Sequence, residues 1–303
     1  MQILSGLESI PDPRIRTPIV TWGVFDGVHR GHQKVLTSVL SWAREKGVSS
    51  VVATFDRHPA EVLTGKPVPL LSPLAERFRL IGERGIDFCL VLNFTLEFSK
   101  TPAEQFVREL VVERLGAAGV VLGHDSRFGH DRGGDAEVLG RLGVEVRHEE
   151  PEYFDGKPVS SSLIREAVFA GRLDDAKFLL GRAPSVIGTV VRGDRRGEKL
   201  GFPTANLELH HAVRPLPGVY GAEVPLDGRS YPAVVNIGTR PTFKTEGVET
   251  LEAHLLGYAG GDLYGRVLEV RFLERLRDER KFEGVEALKT QIRADIELVR
   301  SRT

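Results

Sequence analysis

One cysteine in 303 residues excludes an internal disulfide and any zinc centre built from cysteines. Cys89 lies in the apolar run Phe88-Cys89-Leu90-Val91-Leu92, where core packing is its expected role. No apolar run approaches the ~20 residues that span a bilayer. No N-terminal stretch joins a charged region to an apolar one, as a secretory leader does. Net charge is also missing: 41 Lys and Arg stand against 42 Asp and Glu. There is thus no global basic field for nucleic acid or an anionic membrane, although a local basic groove stays open. Internal repeats and low-complexity segments are absent. What remains is ordinary, 41% hydrophobic and 27% charged. The length suggests two domains, each large enough to bury a core. A cytoplasmic, reduced enzyme is expected, with neither nucleic acid nor membrane as partner; the oligomeric state has no signature.

The first part alternates strand and helix patterns. Strands are expected at 19–25, 50–55, 88–93, 119–122 and 144–148, and helices at 32–46, 73–84, 102–115 and 134–142. Ser72-Pro73 reads as a cap followed by proline in the first turn, and Thr101-Pro102-Ala103-Glu104 has capping-box spacing. Such alternation implies a mostly parallel sheet with helices on both faces. Two short helices, 162–170 and 173–180, lead to Gly181-Arg182-Ala183-Pro184, a natural boundary; domains of 1–183 and 184–303 follow. Beyond it strand patterns dominate, at 186–192, 219–225, 231–237, 250–257 and 266–273. A closing helix carries Val285, Leu288, Ile292, Ile296 and Val299 on one face. That is the pattern of a small antiparallel barrel or sandwich with a terminal helix.

The densest signal is Trp22-Gly23-Val24-Phe25-Asp26-Gly27-Val28-His29-Arg30-Gly31-His32. It sits where a strand hands over to a helix, the place at which α/β sheets bind ligands. Glycines let a phosphate approach the backbone, and a helix N-terminus offers N–H groups and a positive dipole end. His29 and His32, three residues apart, share one face of the first turn. Later, Ser160-Ser161-Ser162-Leu163-Ile164-Arg165 reads equally well as serine capping or as an anion cradle with a guanidinium one turn in.

A second signal is Gly188 to Asn206. Gly193, Gly197 and Gly201 alternate with Arg192, Arg195 and Arg196, ending in Pro203-Thr204-Ala205-Asn206. Such a loop can form a nest of N–H groups for phosphates, and no Gly-Lys-Ser/Thr makes it a Walker loop. Thr204 and Asn206, two apart, can point the same way and offer neutral oxygens to Mg²⁺ carried in on ATP. Alternatively, it is a long surface loop of turn residues. In Leu251-Glu252-Ala253-His254-Leu255 the polar pair shares one strand face, which by pattern alone is a solvated one.

Together these strings resemble the bacterial bifunctional riboflavin kinase/FAD synthetase family. Gly23-x-Phe25-Asp26-Gly27 with His29-x-Gly31-His32 resembles its nucleotidylyltransferase signature. The match implies ATP contacts from Gly23, Phe25, Asp26, Gly27, Gly31, Ser161, Ser162 and Arg165, with His29 and His32 at the α-phosphate. Ser162 stands where the family has threonine. Gly123-His124-Asp125-Ser126-Arg127-Phe128-Gly129 resembles a nucleotide- and flavin-contacting loop, so Asp125, Arg127 and Phe128 become site residues, with Ser126 in place of an aromatic. Thr54-Phe55-Asp56-Arg57-His58-Pro59 adds His58, more readily a structural loop residue than a ligand. From about residue 188 on, the chain is similar to riboflavin kinase. That implies an ATP loop of Gly193, Arg195, Gly197, Gly201 and Pro203, a metal pair of Thr204 and Asn206, a catalytic glutamate at Glu252, and flavin-loop residues Arg277 and Glu279. Gly257 and Tyr258 replace the family's aspartate and phenylalanine. The implied chemistry is phosphorylation of riboflavin to FMN, then adenylylation to FAD, both with Mg²⁺-ATP; FMN and FAD are products or bound ligands. Another cytidylyl- or adenylyltransferase, or a non-enzymatic flavin regulator, are the rival readings.

Overall fold

The computed structural model describes every residue except 11, 194–196, 198, 199, 212, 243, 244 and 303, and only the backbone of 239–242 and 245–249. The chain forms two compact units. One comprises Met1–Pro69 and Leu74–Ser161; the other comprises Leu70–Pro73 and Ser162–Thr303.

The first unit is built on a six-stranded sheet in the order β1 (Gln2–Ser5), β4 (Phe88–Leu92), β3 (Ser50–Phe55), β2 (Ile19–Trp22), β5 (Gly119–Gly123), β6 (Val146–Glu149). All five pairings are parallel. The central strands read as near-continuous apolar runs because both faces are covered. Val20, Val51, Leu90 and Val120 pack on one face. Ile19, Val52 and Val121 pack on the other against Leu36, Val39 and Trp42 of α1 (Arg30–Lys46). Cys89 is fully buried, as expected. The remaining helices are α2 (Pro59–Thr64), α3 (Leu74–Gly82), α4 (Ala103–Phe106, continuing as a π-helical stretch over Val107–Arg114) and α5 (Ala136–Arg141).

Three details differ from the sequence reading. The strand expected to reach residue 25 stops at Trp22, because Phe25 takes a left-handed backbone (φ 54°) and turns the chain out of the sheet. The capping box at Thr101 does not form; Pro102 occupies the cap, without a side-chain bond. Edge strand β1, helix α2 and a hairpin of β7 (Tyr153–Phe154) and β8 (Lys157–Pro158) have too short a period to stand out.

In the second unit, α6 (Ser161–Phe169) and α7 (Leu173–Leu180) precede a closed antiparallel barrel. Its order is β10 (Ala205–Leu209), β13 (Thr245–Leu255), β12 (Arg229–Thr242), β11 (Gly218–Leu226), β14 (Val267–Arg277), β9 (Ser185–Val191). β10, which follows the glycine-rich loop directly, is the strand absent from the sequence reading. Val190, Leu207, Tyr220, Val235, Ala253 and Phe272 fill the barrel, and Leu173 of α7 joins that cluster. The compact units therefore divide two helices before residue 184. Helix α8 (Val285–Arg300) buries Ile296 and Val299, while Val285, expected on the same face, is 55% exposed.

Candidate active sites

The first unit carries a cleft of about 310 Å³ at the carboxyl ends of β2 and β5. Those two strands are neighbours from which the chain winds in opposite directions, a switch point that opens a crevice. Trp22, Gly23, Phe25, His29, Gly31 and His32 form one wall, and Gly123 to Ser126 another; Glu149 to Glu152 and Pro158 to Ser161 complete the lining.

The turn between β2 and α1 is held under strain. Phe25, Gly27 and Val28 all have positive φ, at 54°, 76° and 39°. For Phe and Val that conformation persists only where surrounding bonds over-determine it. Arg77 Nη1 (2.7 Å) and Thr54 Oγ1 (3.2 Å) donate to the Val24 carbonyl. Ser161 Oγ donates to Asp26 O at 3.0 Å, and Gln33 Nε2 to Val28 O at 2.8 Å. Arg77 is itself buried at 1% exposure, and burial lowers its pKa while the equally buried Asp26 carboxylate opposes that shift. Asp26 and Gly27 thus build the turn and lie outside the cleft lining, whereas Gly23, Phe25 and Gly31 line it.

His29 is the cap of α1. Its Nδ1 accepts from the His32 N–H at 3.3 Å, which assigns the ring proton to Nε2. The two imidazoles stack at 3.6 Å between centroids, 19° from parallel. His32 Nδ1 is buried without a hydrogen-bond partner. Burial first, and the neighbouring His29 second, hold His32 well below the usual imidazole range, so it is neutral. Gly31 is there because of His29: a Cβ would stand 3.2 Å from the His29 ring and 3.5 Å from Val159 O.

The other residues of this site divide. Ser161 opens α6 and reaches the turn, while Ser162 and Arg165 follow on that helix within the second compact unit. Asp125 is exposed in the loop after β5. Arg127 pairs with Asp135 at 2.6 Å, and that carboxylate caps α5. Phe128 is buried and meets Trp22 edge-on at 5.1 Å. His58 caps α2, accepting from the Ala60 N–H at 3.2 Å. A cluster absent from the sequence reading stands at the same sheet edge. Phe55, Phe94 and Phe98 contact one another edge-to-face at 5.1–6.5 Å, all half-buried. Phe94 and Phe98, four apart in a polar loop, were its only signal.

The barrel carries the second cleft, of about 360 Å³, lined by Gly193, Pro203, Thr204 and Asn206 opposite Tyr258 and the 260–264 loop. Its glycines leave room for neighbouring polar groups. A Cβ on Gly193 would collide with the Asn206 amide, and one on Gly197 with the Phe202 carbonyl, 3.1 Å from Thr204 Oγ1. Gly201 adopts φ +90°, which disfavours any other residue. Arg195 lies outside the described residues. Thr204 and Asn206 flank buried Ala205 and so face the same way.

Register places Asn206 of β10 and Asn236 of β12 on either side of Glu252 of β13. Leu251 and Ala253 point into the barrel, so this polar row lies on its outer face. Glu279 extends it, accepting from Asn236 Nδ2 at 3.2 Å beside Gly238. His254 Nδ1 donates to the Pro203 carbonyl at 2.6 Å and ties the loop to the strand carrying Glu252. The Arg277 guanidinium holds Asp295 of α8 at 2.8 Å, a carboxylate 4% exposed, and so fastens the helix to the barrel. Among the described residues no cluster of three His, Cys, Asp or Glu side chains could hold a metal.

A family model of FAD synthetase matches residues 13–163, and one of riboflavin kinase matches 180–303. The chain is 41% identical to a bifunctional riboflavin kinase/FMN adenylyltransferase of Pseudomonas fluorescens, over 99% of this chain and 97% of that one. Proteins of the same name from Escherichia coli K12 and Bacillus subtilis are 35% and 33% identical, over 97% and 91% of this chain and 96% and 90% of theirs. A solved structure described as a macrolide-efflux protein from Streptococcus pneumoniae matches with a TM-score of 0.88 at 30% identity, over 99% of both chains. No described helix of this chain is long and apolar enough to cross a membrane.

Proposed function

The chain belongs to the bifunctional riboflavin kinase/FMN adenylyltransferase family and has both activities, and we propose that its two clefts divide them, kinase at the barrel and adenylyltransferase at the parallel sheet. The observation that carries this reading is that each compact unit holds its own glycine-lined cleft, of about 310 and 360 Å³, beside a distinct set of titratable groups.

At the barrel the nucleophile is a neutral alcohol, the ribityl 5′-hydroxyl, which needs a base. Glu252 takes its proton as the oxygen bonds to the γ-phosphorus and the bond to the bridging oxygen breaks, releasing ADP. Asn206 and Asn236 flank Glu252 on the two neighbouring strands, and His254 ties the Pro203–Thr204 corner to the strand that carries it. The glycines at 193 and 197 bring the chain close to the phosphates. The donor set fits Mg²⁺: Thr204 and Asn206 offer neutral oxygens facing one cleft, which suits a hard cation that arrives with ATP and keeps several waters. Those two residues would hold it, and bound there it would neutralise phosphate charge.

At the sheet the nucleophile is the FMN phosphate, already an anion, so charge and alignment are the problem. His29 Nε2–H and the first N–H groups of α1 act on the α-phosphoryl charge, with neutral His32 stacked behind His29. The Phe55–Phe94–Phe98 edge offers a surface for the isoalloxazine ring. Residues 184–303, with the whole barrel and α8, are the proposed kinase domain. The buried single thiol of Cys89 fits work in the cytoplasm.

Incubating the protein with riboflavin and ATP, and resolving products by chromatography, tests the function. FMN should appear first and FAD after it. Binding of flavin without either product would leave a flavin-binding regulator in place of the enzyme.

A further inference from the structure

The far wall of the barrel cleft is a loop, Ala259 to Tyr264, fastened at both ends. At its exit, Gly265 N–H donates to Val190 O at 2.9 Å and Val190 N–H to Arg266 O at 2.8 Å, so β9 fixes it. Tyr264 N–H adds a bond to Asp262 Oδ1 at 2.9 Å. At its entry the fastening is one side chain. Tyr258 O–H donates to the Gly261 carbonyl at 3.1 Å, while its ring rests edge-on against Tyr231 at 5.5 Å. The loop wraps the ring tightly: a Cβ on Gly260 would stand 2.6 Å from Tyr258 Cζ and Oη.

We infer that the Tyr258 hydroxyl is a positioning group for ATP at the kinase step, a latch that keeps the 259–264 loop closed on the nucleotide cleft. Two observations carry it. Tyr258, Gly261, Asp262, Leu263 and Tyr264 all line the cleft whose opposite wall is Gly193, Thr204 and Asn206. The hydroxyl bonds a carbonyl within that wall and interacts with Arg266 just beyond the loop's exit, so losing it frees the wall while the ring stays packed on the barrel core. Phenylalanine at 258 would keep the ring and the Tyr231 contact but lack the latch. A loop already in its bound conformation spares the nucleotide the entropy of ordering it, which raises affinity without touching the chemical step. The inference rests on reading this cleft as the kinase nucleotide site.

Tyr258→Phe in the full-length protein tests it. The KM for ATP in FMN formation should rise about two- to tenfold, the range that one neutral hydrogen bond spans. The kcat, the KM for riboflavin, FAD formation from added FMN and the ATP-free melting temperature should stay at wild-type values. An unchanged KM for ATP would overturn the latch, as would a fall in kcat or melting temperature that accounts for the loss. Gly193→Ala, assayed alongside, separates the two levels. Its Cβ would collide with the Asn206 amide, so the kinase should collapse. If Gly193→Ala kept wild-type kinase activity, the reading of the cleft itself would fall, whatever Tyr258→Phe does.

Discussion

Gly31→Ala should separate stability from activity in opposite directions. Gly31 is the second residue of α1 and has no positive φ, so alanine fits its backbone. In a helix the exchange stabilises by up to about 1 kcal/mol. The new Cβ, however, would sit 3.2 Å from His29 Cε1 and 3.3 Å from Nδ1, where about 3.5–4.0 Å is comfortable. The His29 ring must therefore give by about a third to half an ångström. The His29 ring is stacked on His32 at 3.6 Å, and His32 in turn lies 5.0 Å from the Phe25 ring, so the displacement is passed on into the cleft. A misplacement of 1 Å costs roughly a hundredfold in rate, which scales to about four- to tenfold here. The assay is AMP transfer from ATP to FMN by chromatography, with FMN formation from riboflavin in the same sample as internal control. FAD synthesis should drop by that factor while FMN synthesis and the melting temperature hold or improve. Wild-type FAD synthesis would refute the idea that the imidazole stack sets the reacting geometry, and equal loss of both activities would mark general damage.

His32 gives a pH prediction. Its native imidazole is held well below the usual range, whereas an unfolded one takes up a proton below about pH 6.5. The unfolded state then binds more protons, so the contribution of His32 is complete above about 6.5 and is lost as pH falls below it. The melting temperature of the wild type should therefore drop more between pH 7.5 and 5.5 than that of His32→Asn; equal drops would contradict the assignment. Fragments test the domain division. Residues 184–303 should make FMN but no FAD, and 162–303 should be more stable, because Leu173 rejoins the barrel cluster. A buried leucine is worth about 1.5–3 kcal/mol, so equal denaturation midpoints would argue that α7 adds nothing to the barrel.

Much of this was legible in the sequence because the signals were local. Histidines at a strand-to-helix switch, glycines where backbones meet, and the alternation around Glu252 all follow from spacings of two to four residues. What stayed hidden depends on distant partners. Arg77 reads as an ordinary helix arginine, yet it is buried under the Val24–Val28 turn, 53 residues away in sequence. Asp26 sits in the signature motif but serves the turn rather than the cleft lining. Nothing in the sequence signals that Arg277 pairs with Asp295, which lies in the terminal helix. Strand β10 has the sequence pattern of a loop because glycines and Pro203 precede it. Its strand character comes from pairing on both sides, with β9 and β13.

The central claim is that two independent sites act in sequence, with Glu252 the base of the first. Both activities measured on one preparation of Glu252→Gln test it most directly. Glutamine keeps the size and one hydrogen-bonding oxygen but is a far weaker base, so turnover of riboflavin to FMN should fall about 10²–10⁴-fold with little change in the KM values. FAD formation from added FMN should proceed at the wild-type rate. Wild-type kinase turnover in this variant would remove Glu252 from the reaction, and parallel loss of both activities would contradict the independence of the two sites.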